Sequence, residues 1–243
     1  MKIDKNTIHL WILPTVSTHE CEGLLATLSK KEENAYRAFL LEKHKQQYLT
    51  SHFLMRGILA RYLSVKPQDV EFEYNDYGKP SVRGDKKLNC LEFNLSHTEG
   101  LSILGVTQNH SLGIDLEKID LWREGLDQMV ESYFAGDEID VYNTLPASEK
   151  APYFYRLWTI KEAFMKAQGK GLSLGLDKIS ITFDSDNSPK ISFNGNSLDS
   201  WTIRSFSPQP GYIGAIASPG RIHSIEVFEA DFQDFLKDMD MEA

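Results

Sequence analysis

Two short stretches of the sequence place acidic and basic side chains at spacings that suit chemistry. Glu162 and Lys166 lie four positions apart in "RLWTIKEAFMKAQGKGLSL", so in a helix they share one face, a turn apart. Asp115 and Glu117 alternate in "GIDLE", so in a strand both point to one side. Adjacent carboxylates repel unless a cation lies between them, and their oxygens suit magnesium or manganese. Together the two stretches can bind a divalent cation, take up a proton and hold an anion.

Each of these patterns also has an ordinary structural interpretation. A Glu–Lys pair in this order stabilises an exposed helix by only about 0.3 kcal/mol. A strand with alternating polar residues has one solvated face. In "FNLSHTEG", Ser96 and His97 lie at the end of a strand, where a histidine either completes a turn or donates to a phosphate. The spacing alone leaves these alternatives open.

The string "GLSLG" at residues 171–175 has the Gly-x-Ser-x-Gly pattern of serine hydrolases. That motif needs a strand before the serine and a helix after it. Here a helical pattern precedes Ser173 and the strand-like "LDKISITF" follows, and nothing in the sequence places His223 near the serine. The string is therefore predicted to be the loop that ends a helix, with serine hydrolysis as an alternative function.

Apolar periodicity predicts the elements that position these residues. Helical spacing covers residues from about Glu20 to Leu63, "GLDQMVESYF" and "YFYRLWTIKEAFMKAQ", the last of which ends at Gly169. Alternation and short apolar runs predict strands in "TIHLWIL", "VEFEY", "LEFNLS", "LSILGVT", "LGIDLEKI", "LDKISITF", "PKISF", "WTIRSF" and "GYIGAIA". In each half a long helix leads to a strand, a turn and an apolar strand, which indicates two similar α+β halves joined near Gln108–Leu112.

Composition narrows the class of protein. The 243 residues are 41% hydrophobic and 11% aromatic, enough for a large core. Residues 1–112 contain 14 Lys+Arg and 13 Asp+Glu, a balance of +1, whereas residues 113–243 contain 12 and 22, a balance of −10. This distribution argues against general nucleic-acid binding, which needs a basic surface. It suits a first half that tolerates phosphate and a second half that holds a cation.

The sequence also predicts a location and excludes some cofactors. It starts without the apolar core of a secretory leader, and no apolar run approaches the ~20 residues of a membrane helix, so a soluble, cytoplasmic protein is expected. Cys21 and Cys90 lack ligand-like spacing and are predicted to be inert thiols. The sequence has neither a Cys/His cluster for zinc nor a Gly-x-x-x-x-Gly-Lys-Ser/Thr loop for a nucleotide.

The order of the motifs identifies a family resemblance. "YGKP", "FNLSH", "GIDLE" and "WTIKEAFMKAQGKGLSL" together resemble the 4′-phosphopantetheinyl transferases of the larger, surfactin-synthetase-activating type. The likeness runs from about Tyr77 to Ser173, and the ends of the chain match only in their pattern of helices and strands. It implies a monomer of two α+β subdomains related by a pseudo-twofold axis, with coenzyme A in the cleft between them.

The resemblance also implies a reaction and a division of labour. Residues 1–110 would hold the adenine and 3′-phosphate side of coenzyme A, and residues 111–243 would carry the metal and the catalytic groups. Phosphopantetheine would pass from coenzyme A to a serine of an apo acyl or peptidyl carrier protein, with release of adenosine 3′,5′-bisphosphate. The reaction would need Mg²⁺, or Mn²⁺ in its place. The sequence does not indicate which carrier is modified, and a relative that binds coenzyme A or a carrier without transfer is the alternative.

By position, the resemblance assigns the metal to Asp115, Glu117 and Glu162. Glu162 would also accept the serine proton, directly or through a water, and Lys166 and His97 would act on the phosphates. The expected coenzyme A contacts are Gly78, Lys79, Pro80, Ser96, His97, Lys161 and Lys166. The family's basic residues for the 3′-phosphate are missing here, because Glu32, Ala35 and Gln47 occupy the aligned positions. The nearby residues that would substitute are Lys31 and Lys43, with Lys30, His44 and Lys45 beside them.

Overall fold

The computed structural model describes residues 1–16, 22–83 and 91–240. Cys21 and Cys90, predicted to be inert thiols, lie outside this part of the chain. The α-helices of the described residues are α1 (Lys30–Ala38), α2 (Glu42–Leu63), α3 (Leu126–Tyr133), α4 (Gly136–Thr144), α5 (Ala147–Gln168) and α6 (Phe232–Asp240). Short 3₁₀ helices cover Glu22–Thr27, Pro67–Asp69, Gly171–Leu174 and Leu176–Lys178.

The strands were predicted in most cases at the right place. They are β1 (Thr7–Pro14), β2 (Phe72–Tyr74), β3 (Pro80–Val82), β4 (Leu91–Thr98), β5 (Leu101–Gln108), β6 (Gly113–Lys118), β7 (Ile179–Phe183), β8 (Pro189–Phe193), β9 (Asn196–Ser197), β10 (Trp201–Phe206), β11 (Tyr212–Pro219) and β12 (Ser224–Glu229). The predicted α+β class is confirmed. Helices α4 and α6 and strands β3, β9 and β12 were not predicted.

Two sheets form the framework, one in each half. The first has the order β12-β1-β5-β4, and the second has the order β10-β11-β6. Helix α2 packs on β1 and β5, and helix α5 packs on β6 and β11. Strands β4 and β6 thus each lie at an edge of their own sheet, and these two edges face each other. The pseudo-twofold relation between the halves stays a prediction.

The predicted division at residue 110 needs one correction. Strand β12 pairs in parallel with β1, so the end of the chain returns to the first sheet. Helix α6 packs on α2, where a Cβ added at Gly57 would lie 2.6 Å from the Phe235 ring. Residues from Ser224 to the end of α6 therefore belong to the first half of the fold, because their apolar side chains complete its core.

Three apolar clusters hold these layers together. One lies under α2 in the first half, and one lies under α5 in the second. The third lies between the two sheets and draws on β1, β5, β6 and β11, with Ile103, Ile114 and Ile216 almost fully buried. Because both halves contribute to this third cluster, it fixes how β4 approaches β6. Among the described residues, none of the helices combines the length and apolar character needed to cross a membrane.

Candidate active site

Strand β6 lies directly against helix α5 because Gly113 has no side chain. A Cβ at Gly113 would lie 1.9 Å from the carbonyl oxygen of Ala163 and 2.3 Å from the amide nitrogen of Ala167. Ala163 is fully buried and has a small side chain, so the helix and the strand lie in close contact at this point. This close packing brings the acidic side of β6 next to the charged face of α5, as the two sequence patterns require for a joint site.

Side chains on alternate residues of β4 hydrogen-bond to the backbone of β6. The N–H groups of Ile114, Leu116 and Lys118 donate to Asn94 Oδ1 (2.7 Å), Ser96 Oγ (3.2 Å) and Thr98 Oγ1 (3.2 Å), respectively. These donors lie on the edge of β6 away from β11, and those of Ile114 and Leu116 are buried and would otherwise be unpaired. The ladder therefore joins the two halves and carries Ser96 to β6.

Ser96, Asp115 and Lys166 form one hydrogen-bonded cluster. The ammonium of Lys166 donates to Asp115 Oδ1 at 2.7 Å and to Ser96 Oγ at 3.0 Å. The Ser96 hydroxyl donates to the same Asp115 oxygen at 3.1 Å. The other oxygen, Asp115 Oδ2, is buried and has no hydrogen-bond partner in the described part of the chain. A buried carboxylate oxygen without a donor is costly, so this atom has the character of a ligand contact.

The negative charge of Asp115 acts on the nearby carboxyl groups of Glu117 and Glu162. Burial and the repulsion of Asp115 raise the pKa of Glu117 to about 7. Burial and Asp115 also raise the pKa of Glu162, and the ammonium of Lys166 opposes that shift. Thr98 Oγ1 lies 3.5 Å from Glu117 Oε2, which ties this carboxylate to the hairpin of the first half. The three carboxylates therefore form one negatively charged neighbourhood.

The donor set fits a hard divalent cation in its chemistry. All three side chains offer carboxylate oxygens, which magnesium and manganese prefer, and Asp115 Oδ2 accepts no hydrogen bond from the described residues. The three carboxylates do not converge on a single point, however. Among residues 1–16, 22–83 and 91–240, no group of three or more His, Cys, Asp or Glu side chains is arranged to hold a metal ion.

His97 points away from Ser96, since neighbouring residues of a strand face opposite sides. Its ring is accessible from solvent and lines a cavity of about 300 Å³ in the first half, together with Pro80 and Lys31. The surrounding protein partly desolvates the ring and Lys166 repels its protonated form, so the pKa of His97 is lowered. At neutral pH the imidazole is therefore neutral, with one N–H available to a phosphate oxygen.

Lys79 has a structural role that the resemblance did not indicate. Its ammonium donates to Ser111 Oγ (3.2 Å) and to the carbonyls of Leu112 (3.0 Å) and Ala167 (3.2 Å). Three acceptors use all three N–H groups of a lysine. The ammonium is therefore used within the protein, where it joins this turn to the end of α5. The expected contact of Lys79 with coenzyme A stays a prediction.

The turn itself is built by Asn75 and Gly78. Asn75 Oδ1 accepts from the N–H groups of Tyr77 and Lys79, and Asn75 Nδ2 donates to the carbonyl of Gly169 at 2.7 Å. Gly78 is exposed at φ +87°, a conformation that favours glycine. Its expected contact with adenine stays a prediction.

Lys161 is a second correction, because its side chain lies inside the second half. Its ammonium is fully buried and lies 2.6 Å from Glu138 Oε2. It also donates to the backbone carbonyls of Leu176 (3.0 Å) and Ile179 (2.7 Å), with Tyr133 O at 3.3 Å. No N–H of this lysine is left for a ligand, so it does not bind coenzyme A.

The basic residues proposed for the 3′-phosphate are dispersed. Lys31 lies over the Tyr74 ring, with its nitrogen 3.1 Å from the ring centroid. Lys43 is exposed and acts electrostatically on Glu99 at the tip of the β4–β5 hairpin. Lys30 pairs with Glu33 at 2.9 Å, and Lys45 lies 4.0 Å from Glu42. Of the five substitutes, only Lys31 lines the cavity.

The residues at the aligned positions also have structural duties. Glu32 is buried and accepts from the guanidinium of Arg56 at 2.6 Å. Gln47 Nε2 donates to the carbonyls of Thr98 and Leu101 and so holds the β4–β5 hairpin. Ala35 offers no polar group. Glu32 and Gln47 therefore have structural roles at positions where the family pattern has basic residues.

The hydrolase-like string is a loop, as predicted. Residues 171–174 form a 3₁₀ helix after α5, and β7 follows. The hydroxyl of Ser173 donates to the carbonyl of Lys170 at 2.6 Å. His223 donates its backbone N–H to Asn6 of the first half, where it precedes β12. This order of elements is the reverse of a nucleophile elbow.

Sequence reasoning missed three residues that bear on the site. Asn94 and Thr98 complete the ladder around Ser96, and the signal for them was the polar alternation in "FNLSHT". Trp122 follows the acidic strand and is 90% exposed. The sequence did not indicate that this tryptophan is exposed, since tryptophan side chains are highly buried on average.

Comparison with known proteins identifies the family. A model described as 4′-phosphopantetheinyl transferase, N-terminal, matches residues 14–109, and one described as 4′-phosphopantetheinyl transferase superfamily matches residues 111–217. The 4′-phosphopantetheinyl transferase HetI of Nostoc sp. is 31% identical over 215 residues, which are 88% of this chain and 88% of the relative. The 4′-phosphopantetheinyl transferase Sfp of Bacillus subtilis is 28% identical over 206 residues, 84% of this chain and 87% of the relative.

One solved structure is similar to a smaller part of the chain. A holo-(acyl-carrier-protein) synthase from Bacillus anthracis, in complex with CoA (3′,5′-ADP), is 20% identical and covers 45% of this chain and 94% of its own, with a TM-score of 0.38. A likeness of this size supports no conclusion alone. The family models and the relatives do, and the chain belongs to the 4′-phosphopantetheinyl transferases. It is a transferase enzyme.

Proposed function

We propose that this protein transfers the 4′-phosphopantetheine group from coenzyme A to a serine of an apo acyl or peptidyl carrier protein, as a cytoplasmic monomer that requires Mg²⁺. The observation that supports the proposal best is the cluster of Ser96, Asp115 and Lys166. It brings an ammonium, a hydroxyl and a partly unpaired carboxylate from three elements to one point. Cleavage of a diphosphate needs positioned charges rather than covalent chemistry, and this cluster supplies them.

The metal would be held by Asp115, Glu117 and Glu162, with Mn²⁺ as an alternative to Mg²⁺. When bound, the cation would neutralise and polarise the diphosphate of coenzyme A. The oxygen-only donor set and the unpartnered Asp115 Oδ2 support this assignment.

Lys166 would hold the diphosphate and offset the charge that develops on the leaving phosphate. Its side chain is 29% exposed, so a ligand can approach it. A cation in a partly dry site stabilises such charge more strongly than one in water. His97, neutral at pH 7, would donate its N–H to a coenzyme A phosphate, and Ser96 would orient Lys166.

Glu162 would accept the proton of the carrier serine, directly or through a water. Its raised pKa makes the carboxylate a stronger base than an exposed glutamate. The serine oxygen would then form a bond to the β-phosphorus as the bond to the adenosine 3′,5′-bisphosphate leaving group breaks. The proton therefore ends on Glu162 or on the water it orients.

The test is to incubate the protein with Mg²⁺, coenzyme A and several apo carriers and to measure the carrier mass. We expect the mass gain of one phosphopantetheine group per carrier, lost when EDTA is added and restored by excess Mg²⁺. The relative rates would identify the preferred carrier. Binding of coenzyme A without any mass gain on the carriers would instead support the non-catalytic alternative.

Trp122 is expected to contribute to carrier binding. It is exposed in the segment that follows β6, and the carrier serine must reach Asp115 and Glu162 from outside. Aromatic side chains of this kind often dominate the energy of an interface. We expect Trp122→Ala to raise the KM for apo carrier about tenfold and to leave the KM for coenzyme A unchanged.

Val227→Ala provides the matched control for this change. Val227 is also an exposed apolar residue, but it lies on β12, the edge of the first sheet opposite β4. It should leave both KM values unchanged. A wild-type carrier KM for Trp122→Ala would exclude this segment from the docking surface.

A further inference from the structure

The cavity beside His97 is lined mainly by rings and apolar side chains. It measures about 300 Å³ and lies within the first half, between helices α1 and α2 and strands β2 and β4. The lining rings include Tyr48, Tyr74 and Phe93. The His52 ring is stacked on Tyr48, with centroids 3.7 Å apart. A space of this kind suits a flat heterocycle, because ring faces stack favourably on one another.

The cavity offers little positive charge to a phosphate. Lys31 is the one Lys or Arg among its lining residues in the described part of the chain, and its ammonium lies on the Tyr74 ring at 3.1 Å. Burial lowers the pKa of His52 to about 4, so this ring is neutral at neutral pH. His97 is neutral for the reason given above.

A carboxylate lies in the wall instead. Glu32 lines the cavity, where it is paired with Arg56. Arg56 is fully buried and also donates to the carbonyls of Pro67 and Val70, each at 2.9 Å, so its charge faces inward. The Glu32–Arg56 pair is neutral overall, so this part of the wall adds no net positive charge that would attract a dianion.

We propose that this cavity takes the adenosine end of coenzyme A without recognising its 3′-phosphate, so that 3′-dephospho-coenzyme A is also a donor. The inference rests on the proposed function. Pro80 and His97 line the cavity, and the charges of Lys166 and Asp115 both act on the His97 ring. A nucleotide with its base in the cavity would therefore have its diphosphate near Lys166 and Asp115.

Transfer from 3′-dephospho-coenzyme A forms and breaks the same bonds as transfer from coenzyme A. The carrier serine oxygen forms a bond to the β-phosphorus of 3′-dephospho-coenzyme A. The bond from that phosphorus to the bridging oxygen breaks, and adenosine 5′-monophosphate leaves. The serine proton passes to Glu162 or to a water, as with coenzyme A. No oxidant, reductant or further substrate is needed.

Isothermal titration of the full chain with each nucleotide, and carrier modification with each as donor, test the proposal in Mg²⁺. One charge-assisted hydrogen bond changes an affinity by about tenfold or more. We expect the Kd and kcat/KM values for the two nucleotides to differ by less than about tenfold. A preference for coenzyme A above that value, with transfer intact, would overturn this inference and leave the proposed function standing. Binding of neither nucleotide would overturn both.

Ala35→Lys provides a second test that does not depend on a loss of function. Ala35 lies in the cavity wall and is exposed, so a lysine there would add a cation without displacing a packed side chain. The preference for coenzyme A over 3′-dephospho-coenzyme A should rise at least tenfold. Ala38→Lys, on the same helix but not in the cavity wall, should leave the ratio unchanged. An unchanged ratio in Ala35→Lys would overturn the placement of the ribose at this wall.

Discussion

Replacing Asp115 with asparagine is expected to lower kcat/KM for carrier modification by about 10²–10³. The asparagine keeps the size of the side chain and one acceptor for Lys166, but it removes the charge. Asp115 Oδ1 accepts from Lys166 at 2.7 Å, and the buried Oδ2 has no hydrogen-bond partner among the described residues. The ammonium would therefore lose the charge of its partner, and the proposed cation would lose one of its expected ligands. Mass spectrometry of the carrier, at saturating Mg²⁺ and coenzyme A, measures the effect.

The fold should survive this change. Asp115, Glu117 and Glu162 repel one another, so removing one charge relieves repulsion while Lys166 loses its partner. We expect a Tm within a few degrees of the parent. Asp199→Asn is the matched control, because Asp199 is an exposed residue of a turn whose side chain accepts from the nearby Ser197 hydroxyl. Wild-type turnover by Asp115→Asn would contradict the assignment of this residue.

The sequence predicted the local placement of the site residues better than the contacts between elements. Asp115 and Glu117 were predicted to share one face of a strand, and Glu162 and Lys166 one face of a helix, because periods of 2.0 and 3.6 residues are local properties. The two patterns do meet, and Gly113 is the reason that they can lie so close. No periodicity indicated the contact at Gly113, since it involves helix α5, which begins 34 residues later in the chain.

The sequence did not reveal which side chains serve long-range contacts. Lys79 and Lys161 match family motifs, but their ammonium groups bind carbonyl oxygens contributed by segments distant in sequence. A motif records the residue type and not the acceptors that surround it after folding. The return of β12 to β1 was missed for the same reason, because it joins Thr7 to Ser224. The pairing of these strands depends on the finished sheet and leaves no local signal.

Replacing Lys161 with methionine is expected to lower the free energy of unfolding by about 3–5 kcal/mol, because it leaves a buried carboxylate without its counter-charge. Glu138 is 1% exposed, and its oxygens also accept from the backbone N–H groups of Ala135 and Ile181, each at 2.8 Å. Lys190→Met is the control, because Lys190 pairs with Asp184 at the surface and should cost less than about 0.5 kcal/mol. Urea denaturation measures both changes.

A double variant separates the structural role of Lys161 from a role in coenzyme A binding. Lys161→Met with Glu138→Gln removes both buried charges, so it should recover part of the stability lost in the single variant. Its Kd for coenzyme A should equal that of the parent, since the ammonium lies 2.6 Å from Glu138 and not in the cleft. If instead the single variant kept its stability and bound coenzyme A more weakly, the family-derived role of Lys161 would be right. The buried pair of Lys161 and Glu138 would then not contribute to the stability of the second half.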